Sequence, residues 1–145
     1  MRSAHGIWGL GQIGDPQDLP LLGALLGDDQ ANDAAEESLK DFGAAAEPVL
    51  VAALDRPDGV GVLHALDALG AIGDPGAVAR VARCLEDEDW TVRSWAIEAL
   101  ADIGERGAPA ALEALRVHAE VESDPDLRDL LAAVLPTPRG EPGTA

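Results

Sequence analysis

The chain has 145 residues and carries 27 acids against 10 bases, a formal net charge of −17. The length holds one domain with a buried core, and the charge repels phosphate backbones and anionic lipid, so nucleic acid and membrane surfaces are excluded as expected partners. Hydrophobic residues make up 47% but only Trp8, Phe42, Trp90 and Trp95 are aromatic, so the core must be built from Ala, Leu, Val and Ile, which suits close helix-on-helix packing.

The first predicted element runs from Met1 to Gly14. It is mildly apolar, contains His5 and Gln12, and continues into a repeat, so it reads as structure and not as a signal peptide. Within it, Leu10 is preceded by Gly6 and Gly9 and followed by Ile13 and Gly14. The pattern recurs at Leu39, Leu69 and Leu100, at separations of 29, 30 and 31 residues. Ala35, Ala65 and Ala96 stand four before these leucines, and Ser38, Ala68 and Ala99 one before. Phe42, Ile72 and Ile103 stand three after, each followed by glycine: Gly43, Gly73 and Gly104. Offsets of −4, −1, 0 and +3 share one side of a 3.6-residue helix, so each copy predicts a helix that buries this stripe. The glycine that follows is placed to take the left-handed conformation that ends a helix. A period of this size marks a stacked array.

Between these column helices lies a second set. Asp15-Pro16 and Asp74-Pro75 start a helix directly after the glycine, with Asp as N-cap and Pro at the first helical position, and Asp124-Pro125 repeats the signal. The intervening helices carry Leu22, Leu25 and Leu26, then Leu50 and Leu54, then Val81 and Leu85, then Leu112 and Leu115. Cys84, the only cysteine, excludes an intramolecular disulfide and reads as a small buried thiol with no basic neighbour to lower its pKa. Trp90 is expected at a turn. The last interval, Leu100 to Leu135, stretches to 35 residues, with the excess around Arg116 to Asp124, as in an atypical capping unit. His118, inside that excess, has no evident partner. Pro136 to Ala145 holds three prolines and two glycines in ten residues and reads as a disordered tail behind a repeat domain of residues 1–135. No segment reads as a strand.

The run from Ala65 to Pro75, with Leu85 to Ala96 after it, resembles the HEAT-like repeat of the phycobilisome-lyase type. The resemblance covers roughly residues 4 to 135 and is strongest over 65–104. It implies an all-α, right-handed α-solenoid of helix pairs, about four repeats plus a leading half repeat. The family's Val-Arg pair stands as Val92-Arg93 and Leu127-Arg128, whereas Ala31-Asn32 and Gly61-Val62 replace it in the middle copies. In the family this Arg meets an Asp along the stack, so the ladder is expected to be incomplete. The chain opens on the second helix of a repeat, weakened by Gly6, Gly9 and Gly11. That opening implies cover from another chain, or a longer array.

The resemblance also implies that the column helices line the concave face. Offsets −6, −2, +1 and +2 point away from the stripe and collect Asp33, Glu37, Asp41, Asp67, Glu98 and Asp102, with Lys40 as the one base. Trp8 occupies the −2 column, and His5, Ala34, His64 and Trp95 lie on the flank at −5. The expected function is a protein–protein interaction or scaffold module. Its acidic concave face, with Trp8 and Trp95 as anchors, takes a basic segment of another protein. The competing view is that these columns are only the solvated side of amphipathic helices. The resemblance supplies one alternative: an enzyme-associated subunit of a lyase or oxidoreductase type, handling a prosthetic group beside a paired HEAT-like chain.

No catalytic residue, cofactor or metal is expected. His5 and His64 share a column but sit two repeats apart, about 20 Å at about 10 Å per repeat. His5-Gly6 and His64-Ala65 lack the carboxylate that HEAT-like di-iron hydroxylases place beside the histidine. The glycine-rich run from Gly6 to Gly14 has no Lys-Ser/Thr after it, so it is no phosphate loop, and no Ser or Cys has a base at readable spacing. The basic groove of HEAT-like DNA-base glycosylases is the opposite of this charge. The expected compartment is the cytoplasm.

Overall fold

A computed structural model of the chain describes residues 14–56 and 59–136. The first expected column helix, with His5, Trp8 and Leu10, and residues 137–145 of the expected tail lie outside the described residues. In chain order the helices are α1 (Leu19–Leu25), α2 (Asn32–Phe42), α3 (Glu47–Ala53), α4 (Gly59–Ile72), α5 (Val78–Arg83), α6 (Trp90–Glu105), α7 (Pro109–Ala119) and α8 (Pro125–Val134). Among the described residues there is no strand.

Two layers result. The column helices α2, α4, α6 and α8 stack in sequence, each against the next. In the other layer α1 packs on α3 and α5 on α7, and every column helix also packs on the helix that precedes it. The array is an all-α solenoid of helix pairs. Leu39, Leu69 and Leu100 are at most 1% exposed. Leu22, Leu26, Leu50, Val81 and Leu115 meet them from the opposite layer with no exposed surface. The buried stripe is broader than the four sequence offsets, because the −3 column also closes: Leu66 and Ile97 are fully buried there.

The helix starts follow the chemistry of the sequence. Asp15, Asp74 and Asp124 accept hydrogen bonds from the backbone N–H groups of Gln17, Gly76 and Asp126. After Asp15 and Asp74 the proline opens a single tight turn, Pro16–Asp18 or Pro75–Ala77, that runs on into α1 or α5. Asp89 caps α6 in the same way through the N–H of Thr91, and Trp90 is the exposed first residue of that helix.

One expected helix end moves. Gly14, Gly43 and Gly73 adopt the left-handed backbone with φ of 74°, 65° and 74°, whereas Gly104 stays inside α6, which continues to Glu105. The positive φ falls instead at Gly107, at 106°. Gly104 serves a different need, close approach of α7: a Cβ there would come within 2.6 Å of Leu112 Cδ2.

Candidate functional site

The acids of the outward columns are exposed where the sequence places them, but two of the columns are not outward throughout: at −6, Leu63 packs against the core. Asp33, Glu37, Asp41, Asp67, Glu98 and Asp102 are all exposed on α2, α4 and α6. The +1 column, expected to face solvent, closes into the stack. Gly70 and Ala101 are buried at this offset, and a Cβ on Gly70 would lie 3.0 Å from Ala99 Cα. Between α4 and α6 the helices approach so closely that this offset takes only small residues. Lys40, the long side chain at this offset, is 24% exposed and bridges α2 to α4.

Around Lys40 is a polar cluster that pattern reading misses. Its ammonium lies 2.6 Å from Glu36, 3.2 Å from Glu37 and 3.3 Å from Asp67. Glu36 occupies the −3 column, where Leu66 and Ile97 stand in the next copies, and it is only 6% exposed. His64 Nδ1 lies 2.7 Å from Glu36 Oε1. Burial, and then the hydrogen bond to Asp67, push the Glu36 carboxyl above the usual range. The same hydrogen bond holds Asp67 below it. Burial alone would lower the Lys40 ammonium, but Glu36, Glu37 and Asp67 raise it above its ordinary value. The signal for Glu36 was available as an acid in a column otherwise filled by Leu and Ile.

Of the expected partner-binding residues, Asp67 is therefore committed to the α2–α4 joint as well as exposed. Burial, then Glu105 on its own helix, raise the Asp102 carboxyl; Arg106 pulls it down, and Asp67 on the neighbouring helix adds a smaller push upward. Trp95 is half-buried and packs against the core. Trp8 lies outside the described residues. Among the described residues no group of three or more His, Cys, Asp and Glu is placed to hold a metal ion. No helix among them is long and apolar enough to cross a membrane.

Stacked helix pairs, glycine-tight seams and an aspartate-proline start between layers now meet an independent finding: the model of the HEAT repeats family matches residues 47–136, from α3 to the end of α8. The chain belongs to the HEAT repeat family. The matched model describes HEAT repeats generally, and α1 and α2 add one further pair on its N-terminal side. No curated protein matches the chain. HEAT repeats are generally protein-interaction scaffolds.

The HEAT ladder takes an unusual form here. Arg93 meets a glutamate in place of the expected aspartate: its Nε lies 3.1 Å from Glu122 Oε1, and its Nη1 donates to the carbonyls of Asp87 and Glu88 at 2.9 and 3.1 Å. His118, expected to lack a partner, is buried, with Nε2 lying 2.8 Å from Glu122 Oε1. The backbone N–H of Asp124 completes the set at 3.0 Å. Burial would raise the Glu122 carboxyl, yet these donors bring it down to about 2. The long last repeat is thus tied to α6 by a charged knot, and its extra residues supply Glu122.

Cys84 also differs from expectation in detail. Arg80 and Arg83 are basic neighbours that favour the thiolate, but burial and Asp87 outweigh them and push the thiol up to about 11. It is a poor nucleophile for that reason.

Proposed function

We propose that this HEAT array is a protein-binding scaffold whose acidic column face takes a basic segment of a partner protein. The observation that supports this most directly is the exposure of six acids, Asp33, Glu37, Asp41, Asp67, Glu98 and Asp102, on the successive column helices α2, α4 and α6. Acids from successive helices share one field, and a field of that sign concentrates cationic groups. Lys40 does not neutralise it, being spent within the stack on Glu36 and Asp67. Asp33, Glu37, Asp41, Glu98 and Asp102 then form the outward surface, with the half-buried Trp95 beside them as an apolar anchor. A role without catalysis fits the scaffold character of the family.

Charge reversal tests the proposal. Asp67 is a poor target because its contact with Lys40 ties α4 to α2, whereas Glu37 meets Lys40 only within α2, so the informative variant is Asp33→Lys, Glu37→Lys and Glu98→Lys together. In a pull-down from the source organism, the variant is expected to lose at least tenfold of the basic partner that the wild type captures, with an unchanged helical circular dichroism spectrum. The wild-type capture should weaken steeply between 50 and 200 mM salt, as screened charge pairing requires (Debye length about 8 to 10 Å at about 0.1 to 0.15 M). Undiminished capture by the folded variant would remove this face as the binding surface.

A further inference from the structure

We propose that a second docking site lies on the opposite layer, in the groove between α5 and α7, and that its occupant is a short amphipathic segment of another protein bearing apolar side chains flanked by Lys or Arg. The groove measures about 520 Å³, within the roughly 300 to 1,000 Å³ typical of binding clefts. Short side chains create it. Ala82 on α5 and Ala110 and Ala114 on α7 line a space that larger residues would fill, and Leu85 adds apolar surface from the turn after α5. Val117 and Val121 line the same groove, four residues apart, and remain 62% and 73% exposed. One exposed valine is ordinary on a protein surface, but two that open on one apolar cleft make a contiguous patch.

Charge selects the occupant. Glu86 and Glu113 line the groove. Arg116, outside the lining, lies 3.7 Å from Glu113 and offsets part of its charge. His118 is engaged by Glu122, so Glu86 sets the sign of the lining, which favours cations. A second copy of this chain would bring a further −17 against −17, and an anionic bilayer carries the same sign, so both are repelled. A segment with Leu, Ile or Met between basic residues satisfies the apolar lining and the acids together.

The test uses the whole protein and two labelled synthetic peptides read by fluorescence anisotropy. One is lysine-rich with two leucines four residues apart; in the other both leucines are serine. The leucine peptide is expected to bind at least tenfold more tightly. The double substitution Val117→Asp/Val121→Asp should erase that ratio, as should the milder Val117→Ser/Val121→Ser should the aspartates disturb the helical spectrum. Glu86→Lys/Glu113→Lys should weaken the leucine peptide several-fold. Reversal at Asp33, Glu37 and Glu98 should leave the ratio intact, which separates this groove from the acidic column face. A ratio near one, or a ratio that survives in the valine variants, overturns the proposal. So does concentration-dependent self-association abolished by the valine substitutions, which would assign the groove to a second copy.

Discussion

The α4–α6 seam and the α2–α4 seam occupy the same place in the repeat and are built from opposite chemistry. Between α4 and α6, Gly70 lies so close to Ala99 that a Cβ would approach Ala99 Cα at 3.0 Å, and Leu66 and Ile97 fill the −3 column without exposure. Between α2 and α4, that column holds Glu36, and Lys40, His64 and Asp67 converge on it. The apolar seam gains stability by excluding water. The polar seam bears the desolvation of a buried carboxyl, visible in its raised protonation range, and recovers part of it through pairing. A repeat array tolerates this because each pair answers only to its neighbours, so one joint can be polar while the next remains dry. At the C-terminal end Arg93, Glu122 and His118 form another polar joint, but with a strongly ionised carboxylate.

The largest effect is expected at that C-terminal joint. Glu122→Ala leaves the Arg93 guanidinium and His118 without their shared acceptor in a buried setting, a loss of about 3 to 5 kcal/mol. Urea denaturation at pH 7 checks it. The pH dependence has a definite sign. The folded carboxyl sits at about 2, below its ordinary 4.5, so its contribution is complete above about 4.5 and is lost as pH falls toward 2. Wild-type stability should therefore fall across that window more steeply than that of Glu122→Ala. Parallel curves would show that the knot carries no linked stability.

A smaller effect, of opposite sign, is expected where the α2–α4 seam is made to resemble its neighbour. Glu36→Leu installs the side chain of the equivalent Leu66 column position, while Lys40 keeps Glu37 and Asp67 at 3.2 and 3.3 Å. Replacing a whole buried ion pair by apolar groups is commonly neutral or stabilising by about 1 to 4 kcal/mol. Glu36→Leu approaches that case, unlike Glu122→Ala, because Lys40 retains two acids and His64 reaches the surface. Ile97→Ala in the dry seam should instead cost about 2 to 5 kcal/mol. Thermal melts of the two variants beside the wild type decide the matter. A Glu36→Leu protein less stable than Ile97→Ala would mean that the polar cluster outweighs apolar packing at this position.

How much of this was readable in the sequence follows from the range of the forces involved. Local signals read well: the leucine columns, the glycines at Gly43 and Gly73, and the Asp-Pro starts depend only on residues within a turn or two. Gly104 misled because the residue type is the same for two purposes, a left-handed end and a close contact, and only the position of Leu112 on another helix distinguishes them. The +1 column misled for a related reason, since helix periodicity describes one neighbour and a column helix has several. The acids of the outward columns were legible as an exposed set. Glu36 was legible only as an acid in an apolar column with Lys40 four residues on, and Glu122 stands four residues after His118. The cross-helix contacts that explain them, to His64 and Arg93, span 28 and 29 residues, and no local pattern carries them.

The smallest expected effect concerns the joint between α3 and α5, in the layer away from the columns. Glu47, the first residue of α3, is hydrogen-bonded to Asp74, the cap of the turn before α5. That bond, then burial and the charge of Asp74, raise the Glu47 carboxyl from 4.5 to about 7, while Asp74 is held below its usual range by the same bond and by the Gly76 N–H. Two carboxyl groups this close share a proton. For Glu47 the folded state binds the proton more tightly than the unfolded chain, so its contribution is present below about 4.5 and fades as pH rises through 7. Glu47→Gln keeps a donor for Asp74 at every pH. The lowered carboxyl of Asp74 contributes with the opposite sign and offsets most of the Glu47 effect. The variant should therefore match the wild type near pH 5 and melt slightly higher at pH 8, by a degree or two on a scale where about 1 kcal/mol moves the midpoint by about 2 to 8 °C. An equal shift at both pH values would mean that the substitution acts through packing and that this layer has no protonated joint.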